Sequence, residues 1–222
     1  TFLTSDAATD KNLYFHERSW LADSSIILFD SNRSKGGTMG YLTKTGEIVR
    51  ILSPDGKKIG RPTAAATRNS VFGLVDNRDV CEVALRIEYS SNPSASRSKV
   101  HARYRRIRRL DGVTGINGLN GNVNDRYIAL GVMPDEGRPR ILKVDVVTEA
   151  WGDAFVVPAE VEKVSHTQWS RTSANLLCFS GEPSPRLWVA DLNSGRVWNP
   201  YPELPKELVT HESWWVNDTL LF

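Results

Sequence analysis

Three of the four histidines lie in the same sequence setting. His16, His166 and His211 each lie shortly before an apolar run, and a phenylalanine follows His16 and His166 at a distance of 13 positions, at Phe29 and Phe179. Imidazole changes its charge close to neutral pH, and in its neutral form it binds borderline metal ions. His166 and His211, which are 45 positions apart, are therefore candidates for a general base or a metal ligand. The alternative is that each imidazole only stabilises its own strand through backbone hydrogen bonds.

The spacing of the histidines follows an internal repeat. The segment His166–Phe179 has a similar copy at His16–Phe29, a shorter one at His211–Phe222, and weaker ones at Pro62–Val75 and Asn117–Leu130. The period is roughly 45 to 55 residues, and a second strand-like run and a turn follow each apolar run. Repeats of this length with several short strands are typical of β-propeller blades. A β-sandwich is the main alternative, but it does not explain why the same pattern returns.

The sequence thus predicts an all-β protein, a β-propeller with about four and a half blades in a single domain spanning 1–222. The predicted repeats are roughly 13–58, 61–112, 116–160 and 163–206, with the start of another at 209–222. Thr1–Leu3 are typical of the end of a preceding blade, and a ring with open apolar edges would be prone to aggregate. We therefore expect a fragment of a longer protein, incomplete at both ends, with a closed four- or five-bladed ring as the alternative. The glycine-rich segment Asn117–Asn122 is predicted to be a turn.

Charge and composition narrow the range of partners. The chain has 28 Lys and Arg against 26 Asp and Glu, which gives no overall case for nucleic acid or anionic membranes. The run His101–Arg109 is an exception, with five arginines in nine residues. It predicts either a basic face toward a polyanion or simply an exposed strand. No apolar stretch approaches the roughly 20 residues that cross a membrane, so we expect a cytoplasmic protein. Cys81 and Cys178 lie in apolar runs and are expected to be buried free thiols.

Several segments resemble the oligogalacturonate lyases, seven-bladed propellers of pectin breakdown. The segments that carry the resemblance are Val164–Arg171, Leu176–Phe179, Arg186–Asp191 and Thr210–Trp215, and Leu13–Arg33 is similar to an early blade of the family. The resemblance is diffuse between Gly60 and Leu110. It implies a lyase with a bound Mn²⁺ ion that cleaves oligogalacturonides, small acidic oligosaccharides, by β-elimination to 4,5-unsaturated uronates. The full ring would then have seven blades.

The resemblance also implies roles for individual residues. His166 corresponds to the base and His211 to a metal ligand, and the family's other ligands, two histidines and a glutamine, would lie beyond Phe222. Arg140 is the candidate for holding the substrate carboxylates, because a guanidinium binds them bidentately and stabilises developing negative charge. Arg138 and Gln168 are the candidates for further substrate contacts. Arg140 also has a purely structural alternative, since another arginine occupies the matching position of the next repeat.

One stretch departs from the family. Ser180–Pro183 stands where the oligogalacturonate lyases typically have a His-Glu-Gly-Pro-like stretch. A divergent relative with another substrate or with no activity is therefore an alternative. A second alternative is a non-catalytic, TolB-like propeller that acts as a binding or scaffold module, because a propeller fold by itself does not imply chemistry.

Overall fold

The computed structural model describes residues 3–5, 7–33, 36–53, 55–92, 97–134 and 136–222. The chain divides into two compact units, Thr1–Arg109 and Leu110–Phe222. Regular structure is almost entirely β, apart from short 3-10 turns such as Val216–Asp218. No helix in the described ranges is long and apolar enough to cross a membrane.

The first unit contains two antiparallel sheets, each with its four strands paired in sequence order. The first sheet consists of β1 (Asp10–Asn12), β2 (Ile26–Ser31), β3 (Gly37–Leu42) and β4 (Ile48–Arg50). The second consists of β5 (Gly60–Ala64), β6 (Ser70–Val75), β7 (Asp79–Glu88) and β8 (Lys99–Arg109). Strand β6 is buried at all six positions, so both faces of its sheet are covered. Such burial explains why this strand is a continuous apolar run and not an alternating one.

The second unit repeats this arrangement. Its sheets are β9 (Ile116–Gly121), β10 (Tyr127–Val132), β11 (Arg140–Asp145) and β12 (Trp151–Asp153), then β13 (Lys163–Trp169), β14 (Leu176–Glu182), β15 (Leu187–Asp191) and β16 (Arg196–Trp198). A hairpin of β17 (Ser213–Trp214) and β18 (Leu220–Leu221) follows. Trp169, Phe179 and Trp188 form the aromatic part of the core, with the rings of Phe179 and Trp188 stacked at 6.3 Å. The predicted fold class is confirmed: the chain is all-β, and its sheets are β-propeller blades.

The prediction for Asn117–Asn122 was wrong, because Asn117–Gly121 belong to strand β9 and only Asn122 lies beyond its end. The asparagine side chains explain the difference. The Asn117 Nδ2 amide donates to the Val164 carbonyl at 2.8 Å, and Asn120 Oδ1 accepts from the Trp169 backbone N–H at 3.1 Å. These bonds join β9 to β13, and turn propensity does not anticipate them. At the N-terminus, residues 1 and 2 lie outside the described residues, and Leu3 belongs to no strand. The two cysteines are buried free thiols, as predicted.

Close packing of β9, β10 and β13 depends on Gly131. A Cβ atom at this position would lie 2.5 Å from Asn117 Oδ1, 2.9 Å from the Asn117 carbonyl oxygen and 3.1 Å from Thr167 Oγ1. We expect Gly131→Ala to lower the free energy of unfolding by about 1–3 kcal/mol, because overpacking forces backbone shifts. Gly152→Ala is the matched control, since a Cβ there meets nothing within 4 Å. Chemical denaturation of both variants tests this, and equal stabilities would contradict it.

Candidate functional site

His166 lies in a β-bulge of strand β13. The register of β13 against β14 shifts between Ser165 and Gln168, so that His166 and Thr167 together oppose the single residue Phe179. His166 adopts a left-handed backbone conformation with φ of 50°. Residues other than glycine rarely adopt this backbone conformation. Bulges of this kind often redirect a side chain beside a functional site.

The same backbone feature recurs in other blades. Arg61 (φ 49°) in β5 and Gly118 (φ 64°) in β9 lie within equivalent register shifts. His211 (φ 58°) lies two residues before β17, at the position that corresponds to His166. His16 differs, since it is buried in the loop after β1, where its Nε2 lies 3.2 Å from Glu17 Oε1. The sequence copy at His16 is therefore not a backbone equivalent of His166.

His166 pairs with a buried carboxylate. Its Nδ1 lies 3.1 Å from Oε1 of Glu212, a residue with 0% exposure, whereas 19% of the His166 side chain is exposed. A carboxylate accepts the hydrogen bond, so Nδ1 carries the proton in the neutral ring and Nε2 carries the lone pair. An imidazole that a carboxylate orients in this way can act as a general base.

Two further side chains hold the Glu212 segment against β13. The amide Nε2 of Gln168 donates to the backbone carbonyl of Glu212 at 2.7 Å. The indole Nε1 of Trp214 donates to the backbone carbonyl of Gln168 at 3.2 Å. Gln168 is only 2% exposed. Gln168 is thus a buried side chain that holds the Glu212 backbone. The predicted contact between Gln168 and a substrate stays a prediction.

The sequence indicated Glu212 only as a neighbour of His211. Its second oxygen, Oε2, is buried without a hydrogen-bond partner among the described residues. A carboxylate that is wholly buried is costly unless it is paired, so its presence at this position calls for the imidazole partner. An acidic residue directly before the short first strand of a repeat, β17 (Ser213–Trp214), was the available signal in the sequence.

His211 is exposed, and its surroundings do not complete a metal site. In the described ranges, no group of three or more His, Cys, Asp or Glu side chains could hold a metal ion together. A single imidazole does not satisfy a divalent cation, which needs several ligands. The residues present in this chain therefore do not fit Mn²⁺ by themselves.

The predicted arginines have partners within their own blade. Arg140, the first residue of β11, donates from Nε to Asp153 Oδ1 at 2.8 Å. Asp153 lies on β12, the edge strand opposite β9. Arg138 donates from Nη2 to the carbonyls of Val157 and Pro158, at 3.1 and 2.7 Å. Both arginines are exposed, and none of these contacts brings either of them to His166.

Cys178 is not a candidate nucleophile beside the pair of His166 and Glu212. Cys178 lies in β14 and is fully buried. Burial, with a smaller contribution from the negative charge of Glu212, raises the pKa of Cys178 well above its usual value. The thiol thus stays protonated near neutral pH, and only a thiolate would be an effective nucleophile.

Comparisons with known proteins show which structures have a similar fold. No protein-family model and no curated protein sequence matches the chain. It is similar to the structure of an oligogalacturonate lyase from Vibrio parahaemolyticus, with a TM-score of 0.70 and 14% identity over 95% of this chain and 58% of the other. A structure described as oligogalacturonate lyase in complex with manganese gives a TM-score of 0.72 and 14% identity, over 97% and 59% of the two chains.

A third structure, TolB from Acinetobacter baumannii, gives a TM-score of 0.57 and 15% identity over 88% of this chain and 44% of that one. The chain thus spans less than three fifths of the length of each of these proteins. Identities this low establish likeness of fold and no more, so the comparisons identify the chain as a β-propeller similar in structure to oligogalacturonate lyases and TolB.

Proposed function

We propose that this protein is a lyase that cleaves oligogalacturonides by β-elimination, with His166 as the general base. The observation that carries the proposal is the pair of His166 with the wholly buried Glu212, located at a left-handed bulge. Similarity of fold to two oligogalacturonate lyases supports the choice of substrate.

His166 Nε2 takes the proton from C5 of the uronate, and the electrons of the C–H bond form the C4–C5 double bond. The glycosidic bond between C4 and oxygen breaks, and the leaving oxygen takes up a proton. Products are a 4,5-unsaturated uronate and a shortened chain. Glu212 stabilises the imidazolium that forms, because its buried carboxylate is already in hydrogen-bond contact with Nδ1.

A positive charge beside the substrate carboxylate would make the C5 proton more acidic. A bound divalent ion would supply that charge, and His211 would be one of its ligands; the ion we propose is Mn²⁺, by comparison with the manganese complex named above. The remaining ligands would have to come from residues outside this chain. Arg140 is our candidate for binding a substrate carboxylate, which requires it to exchange Asp153 for the substrate.

A second candidate function is a non-catalytic, TolB-like binding or scaffold module. Two observations favour it: the fold is also similar to TolB, and Arg138, Arg140 and Gln168 all have partners within the protein. Under this alternative the pair of His166 and Glu212 only joins the β17 segment to β13.

An activity assay separates the two functions. We expect the full-length protein, stripped of metal and then supplied with Mn²⁺, to convert digalacturonate to a product with the ultraviolet absorbance of a conjugated uronate. Chelation of the metal should abolish the signal. A flat trace from folded protein at saturating Mn²⁺ would overturn the lyase proposal and leave the binding module.

A further inference from the structure

Strands β7 and β8 form a long ribbon that concentrates positive charge. The two strands hold seven Lys and Arg side chains against three Asp and Glu, so the ribbon carries an excess of four positive charges, whereas the whole chain carries two. Strand β8 itself, Lys99–Arg109, contains no acidic residue. The function proposed above does not use this charge.

The basic side chains in the first half of β8 alternate with residues that face the core. Val100 and Tyr104 pack against the buried cluster of the first unit. Lys99, Arg103 and Arg105 occupy the alternate positions and are exposed. Because successive side chains of a strand point to opposite faces, these groups share one face of the ribbon. We call this the basic face: Lys99, His101, Arg103 and Arg105 of β8 together with Arg86 of β7.

The acidic residues on the ribbon only partly neutralise this face. Glu82 accepts hydrogen bonds from two arginines, Arg68 at 2.7 Å and Arg105 at 3.0 Å. Glu88 lies 3.0 Å from His101 Nε2, and the positive charges of Lys99 and Arg86 also act on it. Each of these carboxylates thus has two or more basic neighbours, which leaves positive charge available to a ligand.

The position of β8 makes the basic face accessible. The strand order of the sheet is β5-β6-β7-β8, so β8 is an edge strand. Charged side chains on an edge also prevent pairing with other chains, which is the simplest alternative explanation. Three arginines, Arg86, Arg103 and Arg105, lie on the basic face, and arginine in particular has the planar fork that binds carboxylates bidentately.

We propose that the basic face binds a linear polyuronate, the polymeric relative of the short galacturonides assigned to the lyase site; the choice of polymer rests on that proposed function. Side chains two residues apart on a strand are about 6.7 Å apart, so the stretch from Lys99 to Arg105 covers about 20 Å. That length matches several sugar residues, each carrying a carboxylate. In the described part of the ribbon, no Trp, Tyr or Phe lies on this face, and single-stranded nucleic acids are usually bound by stacking on such rings.

Binding of polygalacturonate to the full-length protein tests the proposal. We compare the double variant Lys99→Gln, Arg103→Gln with the control Lys206→Gln, Arg196→Gln, which removes the same charges from exposed positions elsewhere. The first variant should bind about 2- to 30-fold more weakly, because each of the two lost exposed ion pairs contributes about 0.2–1 kcal/mol. The control should change the Kd by less than twofold. Affinity should fall as salt is raised, since exposed charges are screened.

Three outcomes would overturn the proposal: no binding of polygalacturonate by the unmodified protein, equal weakening in both double variants, or tighter binding of a single-stranded RNA homopolymer than of polygalacturonate. The His166→Ala variant separates this proposal from the lyase function. It should lose turnover of digalacturonate and keep its affinity for the polymer. Turnover without polymer binding would defeat the basic-face proposal alone, and polymer binding without turnover would defeat the lyase alone.

Discussion

Replacement of His166 with alanine is expected to lower kcat on digalacturonate by about 10²- to 10⁴-fold, the usual contribution of a positioned general base. The expected loss follows from the pair with Glu212, which presents one ring nitrogen for proton transfer. The measurement is the initial rate of unsaturated product formation by the full-length protein at saturating substrate and Mn²⁺.

His166→Ala also leaves the buried Glu212 carboxylate without its partner, and that change is expected to cost stability. His166→Gln is therefore measured in parallel, because its amide can still donate to Glu212 although it cannot act as a base. Arg196→Ala is the control, since Arg196 is an exposed residue of β16 that belongs to neither proposed site. A folded His166→Gln variant whose kcat stays within a few-fold of the unmodified protein would refute the role of His166 as base.

Replacement of Glu212 with glutamine is expected to lower kcat at least about tenfold and to leave KM within about twofold. Groups that orient a catalytic or metal-bound histidine typically contribute 10-fold or more. Glu212 has 0% exposure, so it does not touch the substrate and should not affect binding. The amide can still accept the hydrogen bond from His166, but it no longer carries the charge that stabilises the imidazolium.

The conservative variant and a structural control complete this test. Glu212→Asp keeps the charge and should recover part of the lost kcat. Glu203→Gln alters another carboxylate of the same unit, one that accepts hydrogen bonds from the Arg186 backbone N–H and the Ser184 hydroxyl. It should reduce stability without a change in kcat. If Glu212→Gln lowers only the unfolding temperature, as Glu203→Gln should, then Glu212 is a structural residue and not a positioning one.

The repeat pattern made the fold class predictable. Each blade must bury two sheet faces, so each needs a short apolar second strand between polar turns. A local sequence pattern therefore indicates a blade. Strand β9 was misread because its glycines and asparagines have low strand propensity. Two hydrogen bonds compensate for this: Asn117 donates to the Val164 carbonyl of β13, and Asn120 accepts from the Trp169 N–H of β13. Both bonds link residues almost 50 positions apart.

The candidate site was predictable only in part. Periodicity grouped His16, His166 and His211, and the shared left-handed conformation agrees with the equivalence of His166 and His211 only. The pairing of His166 with Glu212, across 46 positions, depends on the packing of the β17 segment against β13. The engagement of Arg140 by Asp153 depends likewise on the pairing of β11 with β12.

The sequence by itself therefore determined the all-β class, the blade repeat and the matching positions of His166 and His211, because these depend on local patterns of apolar and polar residues. Only the tertiary structure decided which carboxylate orients His166, that Gln168 is buried against the Glu212 backbone, and that Arg103 and Arg105 of β8 lie on one exposed face. Those features arise from contacts between residues distant in the chain and from strand register, and a shift of register by one residue would reverse which side chains face the core.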